Sequence, residues 1–162
     1  KMAVLGIGYG LGPLKLFEEN PGVFADLNEA KKIRNFILRT FPKIKAWQDR
    51  VVRQAQRDSY LRTPFGYIRW FWDIPGEDGP AAIAQLPQST AAAIAKESML
   101  LLAQTPAGKY LVGFVHDELV LDRPADANWV TSTVKAIMQR AIPELGGLSF
   151  KVAGQIGRSM KS

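Results

Sequence analysis

His116, Asp117 and Glu118 stand in a row between two apolar runs, Tyr110 to Val115 and Leu119 to Leu121. Two neighbouring carboxylates repel one another, and desolvation penalises both. A divalent cation, or the cation-bearing phosphates of a substrate, removes that cost. His116 is the only histidine of the chain, and it adds a hydrogen-bonding group beside the acids. On spacing alone, an exposed acidic turn without a ligand is the other reading of these three residues. Each flanking run reads as a short buried strand, and three polar residues between two such runs read as a tight hairpin. The hairpin, 110–122, would hold the two acids and the histidine on a rigid element.

The elements around that hairpin follow from pattern and punctuation. Residues 1–8 are an apolar helix stopped by the glycines at 6, 8, 10 and 12. No strand precedes these glycines, so they make a helix end and not a dinucleotide fingerprint. A short amphipathic piece runs from Leu14 to Glu19, and Asn20-Pro21-Gly22 is a turn. Asp26 or Asn28 caps a helix with Ile33, Phe36 and Ile37 on its apolar face. Pro42 ends that helix and starts the next, which runs to Arg57. The second helix has Ile44, Trp47, Val51 and Ala55 as its core stripe. Arg50, Arg53 and Arg57 lie on another face, either a solvated face or a phosphate-facing one. Tyr60 to Trp72 reads as a hairpin turning at Thr63-Pro64-Phe65-Gly66; Trp70, Phe71 and Trp72 suggest a packed sheet edge in the core, with stacking on bases as the other use of the trio. Asp73 to Pro80 is a loop. Ser89 or Thr90 caps a helix, Ala91 to Gln104, that is apolar nearly all round and expected to be buried. After the central hairpin, Arg123 to Asp126 leads into a helix with Val130, Val134, Ile137 and Met138 as its stripe. Pro143 to Gly147 is a loop, and Leu148 to Ile156 reads as a last strand followed by Arg158 and Lys161. The order predicts an α+β fold around an antiparallel sheet.

With 162 residues, nearly half of them hydrophobic, the chain can build a core. It has no cysteine, which excludes disulfides and thiolate metal sites. No apolar run reaches the length of a membrane span, so no membrane partner is expected. The net charge of +6 favours a polyanionic partner. The chain opens on Lys1 and runs into Met2-Ala3-Val4-Leu5 without an N-cap, the pattern of a helix cut in its middle. It is therefore expected to be part of a longer polypeptide.

Five segments, in this order, resemble motifs of family A DNA polymerases. The first is Lys1 through Leu5 to Tyr9-Gly10, similar to the second half of the finger-helix motif. The second is Phe41-Pro42 with Trp47, similar to the family's Phe-Pro-x-x-x-x-Trp segment. The hairpin turn Thr63 to Gly66 is the third, and Gln88-Ser89-Thr90-Ala91-Ala92 is the fourth. Val115-His116-Asp117-Glu118-Leu119 resembles the third catalytic motif. The glycines between Leu5 and Gly12, and the Leu86-Pro87-Gln88-Ser89-Thr90 form, look more like the bacteriophage-like branch than the bacterial repair branch.

The resemblance implies template-directed deoxynucleotidyl transfer to a primer 3′ end. It implies two Mg2+ ions about 3.5–4 Å apart, with Asp117 and Glu118 as catalytic and metal-binding carboxylates, Glu118 the weaker. Lys1 would neutralise the triphosphate of the incoming nucleotide, Leu5 would lie against its sugar, and Tyr9 would stack at the templating position. Leu5 lacks the phenol hydroxyl that many members carry there, so dideoxy terminators should be poorly accepted. Gln88 and His116 would hydrogen-bond the minor-groove side of the primer–template end. The implied architecture is an antiparallel palm sheet with a catalytic hairpin, packed by helices, plus a helical fingers portion. Residues 1–59 would be fingers and 60–162 palm. The expected partners are primer–template DNA, deoxynucleoside triphosphates and the upstream part of the polymerase, in the same or a second chain. That part would carry the other metal-bridging aspartate, without which this portion alone should turn over little. The expected location is cytoplasmic, of a bacterial host if the chain is of the bacteriophage-like branch. The hairpin departs from relatives at Tyr67 and Ile68, where arginines are frequent. A non-catalytic nucleic-acid-binding module, or a subunit of a split polymerase, is the alternative.

Overall fold

The computed structural model describes residues 2–72 and 79–157. Lys1, most of the loop expected from Asp73 to Pro80, and the basic residues Arg158 and Lys161 lie outside the described residues. The chain divides into two compact units, 1–89 and 90–162.

In the first unit, α1 (Met2–Gly8) is followed by α2 (Pro13–Glu18), α3 (Leu27–Thr40) and α4 (Pro42–Asp58). Glycine stops α1 because Gly10 takes φ +85°, where an L side chain is strained. Space is also short there: a Cβ on Gly10 would lie 2.6 Å from Ile83 Cδ1. Asp26 caps α3, its Oδ1 accepting the Glu29 N–H at 2.7 Å, and Glu29 accepts in return from the Ala25 N–H at 2.6 Å. That reciprocal pairing satisfies donors a helix start leaves unmet. At Phe41 the backbone leaves helical geometry and Pro42 opens α4 at its first turn, where a missing N–H costs nothing.

Burial corrects the stripe of α3 and extends that of α4. In α3 the buried positions are Ala30 and Leu38, with Ile33 and Ile37 packed beside them, while Phe36 is 69% exposed. The core face is thus rotated by about one residue from the expected one. In α4 the expected stripe holds, and Gln48 joins it. Ile7, Leu16, Phe24, Ala30 and Leu38 form one buried cluster; Val51, Ala55, Leu61, Ala82 and Ile83 form a second.

β1 (Tyr60–Arg62) and β2 (Ile68–Trp70) form the expected hairpin, with Tyr60 opposite Trp70 and Arg62 opposite Ile68. Only Phe71 of the aromatic trio packs on the core. Trp70 and Trp72 are exposed, because a two-stranded ribbon covered on one face leaves its other face to solvent.

α5 (Pro80–Ala103) corrects the expected helix start by about eleven residues. It continues through Pro87, which has no N–H for the preceding turn. The Ile83 N–H bonds to the Gly79 carbonyl at 2.8 Å, and Ala82 and Ile83 are buried in the second cluster. Burying that first turn outweighs the one bond lost at Pro87. Ser89 caps nothing; its hydroxyl accepts from the Gln85 amide instead.

In the second unit, Ala93, Ala95, Ser98 and Leu102 are the buried residues of α5, and Leu100 and Leu101 are exposed, so this helix is not buried all round. β3 (Leu111–Val115) pairs antiparallel with β4 (Glu118–Leu121), and α6 (Asn128–Met138) follows. Leu111, Leu119 and Leu121 pack with Leu102, Ala107, Ala127, Val130, Val134 and Ile137. Gly108 makes the approach to β3 possible: a Cβ there would meet Ala103 Cα and the Leu102 carbonyl at 2.7 Å.

The elements are helices and short antiparallel strands, as the α+β reading requires. The strands form two separate two-stranded ribbons among the described residues, not one sheet. The last strand is not formed. From Leu148 onward there is one isolated bridge, Ile142 to Leu148, and Phe150 and Ile156 are exposed. A strand exists through its ladder, and here that segment has no ladder partner among the described residues. No helix among the described residues is long and apolar enough to cross a membrane.

Candidate active site

The tip of the β3–β4 ribbon carries the three residues singled out from sequence. Val115 pairs with Glu118, which leaves His116 and Asp117 as a two-residue turn. His116 takes φ +55°. A positive φ at the first turn residue matches the right-handed twist of the flanking strands, but for a residue other than glycine it costs about 1–2 kcal/mol. Strain of this kind, held by a well-packed ribbon, is frequent where a side chain must be aimed. The ribbon is anchored at its base by Leu111 and Leu121 and nearer its tip by Leu119, all packed on the core. Phe114 opposite Leu119 and Gly113 opposite Val120 continue the pairing to the tip. Toward the base, an irregularity between Leu111 and Gly113 inserts one extra residue, which increases local twist.

His116, Asp117 and Glu118 are all exposed. Two carboxylates in water at a hairpin tip are hard oxygen donors of the kind Mg2+ takes in ones and twos, the rest of its shell being water and phosphate. The donor set fits such an ion as part of a site. No group of three or more His, Asp or Glu side chains comes together among the described residues, so the two acids do not by themselves make a closed cage.

In the first unit, Leu5 and Tyr9 are one helical turn apart, and the Tyr9 N–H bonds to the Leu5 carbonyl at 3.0 Å. Ile7 is buried, with Ala3 packed beside its cluster, whereas Leu5 is 49% exposed and Tyr9 half-buried. The helix thus turns Leu5 outward. Gln88 is exposed on α5. Lys1 lies outside the described residues.

One positioning residue escaped the sequence reading. Gln48 is 3% exposed, and its Nε2 donates to the carbonyls of Ile7 and Gly8 at 2.8 and 3.1 Å. These carbonyls close α1, where the helix itself leaves them unmet; that of Ile7 also accepts the Gly10 N–H at 3.0 Å. Gln48 fastens the end of the helix that carries Leu5 and Tyr9. The signal was legible: a glutamine at i+4 from Ile44 and one after Trp47 sits on the apolar stripe. Arg34 adds a second tie, its Nε donating to the Leu11 carbonyl at 3.0 Å.

The basic face of α4 is exposed and slightly concave, lined by Arg50, Arg53, Gln54, Gln56 and Arg57. Its last arginine is already paired. Arg57 donates to Asp58 at 2.7 and 2.9 Å, and that hydrogen bond holds the Asp58 carboxyl below its ordinary range and pushes Arg57 up.

The model of DNA polymerase family A matches residues 1–162. The chain belongs to DNA polymerase family A. It is 31% identical over 153 residues to a thermostable DNA polymerase I of Thermus filiformis, a match covering 88% of this chain and 18% of that protein. It is 32% identical over 154 residues to a DNA polymerase I of Streptococcus pneumoniae, covering 88% of this chain and 17% of that protein. The family A chain described here therefore spans less than a fifth of the length of these curated relatives.

Proposed function

We propose that this chain is the C-terminal fingers-and-palm part of a template-directed DNA polymerase that adds deoxynucleotides to a primer 3′ end. The observation that carries the reading is the hairpin: a strained His116 and two exposed carboxylates at the tip of a ribbon, in a chain matched along its whole length by the family. Fingers are assigned to residues 1–59 and palm to 60–162. The bacteriophage-like branch rests on the glycines between Leu5 and Gly12 and on Leu86 to Thr90.

Asp117, with Glu118 as the weaker contributor, holds the divalent cation. When bound, Mg2+ supplies Lewis-acid stabilisation of phosphoryl oxygens and favours ionisation of the attacking hydroxyl. The chain's own residues orient and neutralise. Leu5 presents an apolar surface to the sugar of the incoming nucleotide. Tyr9 offers its ring to the templating base. Lys1 answers the triphosphate as a point charge. His116 and Gln88 donate to minor-groove acceptors, which every base pair displays, so that any primer sequence is accepted. Gln48 keeps α1 in register with its neighbours while this happens.

The test is primer extension by a polypeptide carrying this segment together with the upstream aspartate motif. Asp117→Asn is expected to lower kcat by about 100-fold or more while changing primer–template affinity by less than about threefold. Extension at the parent rate would overturn the assignment. DNA binding with no extension by the parent would favour a binding module.

A further inference from the structure

The β1–β2 ribbon has a face that its core does not use. Residues two apart on a strand share a face, so Tyr60, Arg62, Ile68 and Trp70 lie on one side, and Leu61 and Arg69 on the other. Leu61 is buried. Across the ribbon, Trp70 is 55% exposed and Trp72, two residues on, is 89% exposed. Their indoles lie nearly parallel, 16° between planes and 6.1 Å between centroids, and the Tyr60 ring leans on Trp70 at 5.2 Å. An apolar surface of this kind marks a partner.

The chemistry of the face narrows that partner. Its apolar area is mostly flat aromatic ring, with Ile68 the one aliphatic side chain. Arg62 lies on the same face and donates to the Gly66 carbonyl at 3.4 Å, which keeps the guanidinium beside the ribbon. From Tyr60 to Trp72 there is no acidic residue. Flat rings beside a cation, without an acid, suit unpaired nucleobases joined by phosphates. Every base has a π face, so stacking accepts any sequence, and arginine takes the backbone charge. We infer that this face is a stacking platform for single-stranded DNA, with bases on Trp70 and Trp72 and a phosphate at Arg62. The choice of DNA over RNA rests on the polymerase reading; the stacking does not.

The test is titration of the chain with oligo(dT), followed by tryptophan fluorescence and by anisotropy of a labelled oligonucleotide. Saturable quenching is expected. Trp70→Ala and Trp72→Ala should each weaken single-strand binding by about fivefold to a hundredfold, with circular dichroism unchanged, and Trp72→Phe should restore most of it. Arg62→Gln should lower the slope of log K against log salt by about 0.7. Blunt duplex of equal length should bind the parent and Trp72→Ala alike. Parent-like affinity in both alanine variants, equal losses for single strand and duplex, or no single-strand binding by the parent would overturn the inference. Tryptophan-dependent binding, alongside absence of primer extension by the polypeptide that joins this segment to the upstream aspartate motif, would refute the catalytic reading and leave this one standing.

Discussion

His116 is where a single residue says most about use. A glycine would take φ +55° without strain, yet the chain keeps a histidine there. His116→Gly is expected to leave stability unchanged or raise it by up to about 1 kcal/mol, while weakening primer–template binding by about two- to tenfold. Denaturant melts beside binding titrations would show this divergence; losses in both would mean that His116 serves the ribbon and not a ligand. The acids beside it were legible because chemistry-bearing side chains interrupt apolar runs sharply. Phe36, Trp70 and Trp72 were not legible in the same way. Hydrophobicity assigns an aromatic residue to the core, but only packing tells which face of an element has a core to meet, and these three have none on theirs.

Gln48 and Gly108 show how elements are fixed to one another. Gln48→Leu would keep the volume but take the side-chain donor from two helix-end carbonyls, leaving that of Ile7 with only the Gly10 N–H, at a cost of about 1–3 kcal/mol. On the polymerase reading it should also raise the KM for nucleotide more than it lowers kcat, because α1 carries Leu5 and Tyr9. Equal loss of stability with no change in KM would contradict the role given to it. Gly108→Ala meets backbone and not a yielding side chain, so about 1–3 kcal/mol of destabilisation is expected by thermal melting. Helix breaks were legible at Pro42 and at the glycines after α1, where covalent geometry decides locally. The start of α5 was not, since burial of Ala82 and Ile83 carries the helix through Pro87. The last strand also failed for a non-local reason: strand pattern is in the side chains, but a ladder needs a second strand.

At the scale of the whole molecule, charge and family membership point the same way. The net charge of +6 and the exposed Arg50 and Arg53 predict primer–template binding that weakens steeply with salt. Arg50→Gln with Arg53→Gln should reduce the log–log salt slope by about 1–2; an unchanged slope would leave that face merely solvated. Nucleotidyl transfer is the role proposed for the His116–Asp117–Glu118 hairpin. Its most direct test is single-nucleotide primer extension with Mg2+, parent beside Asp117→Asn, in a polypeptide that joins this segment to the upstream aspartate motif. Extension is expected in the parent and lost in the variant, with primer–template still bound. Undiminished extension by Asp117→Asn would contradict that role.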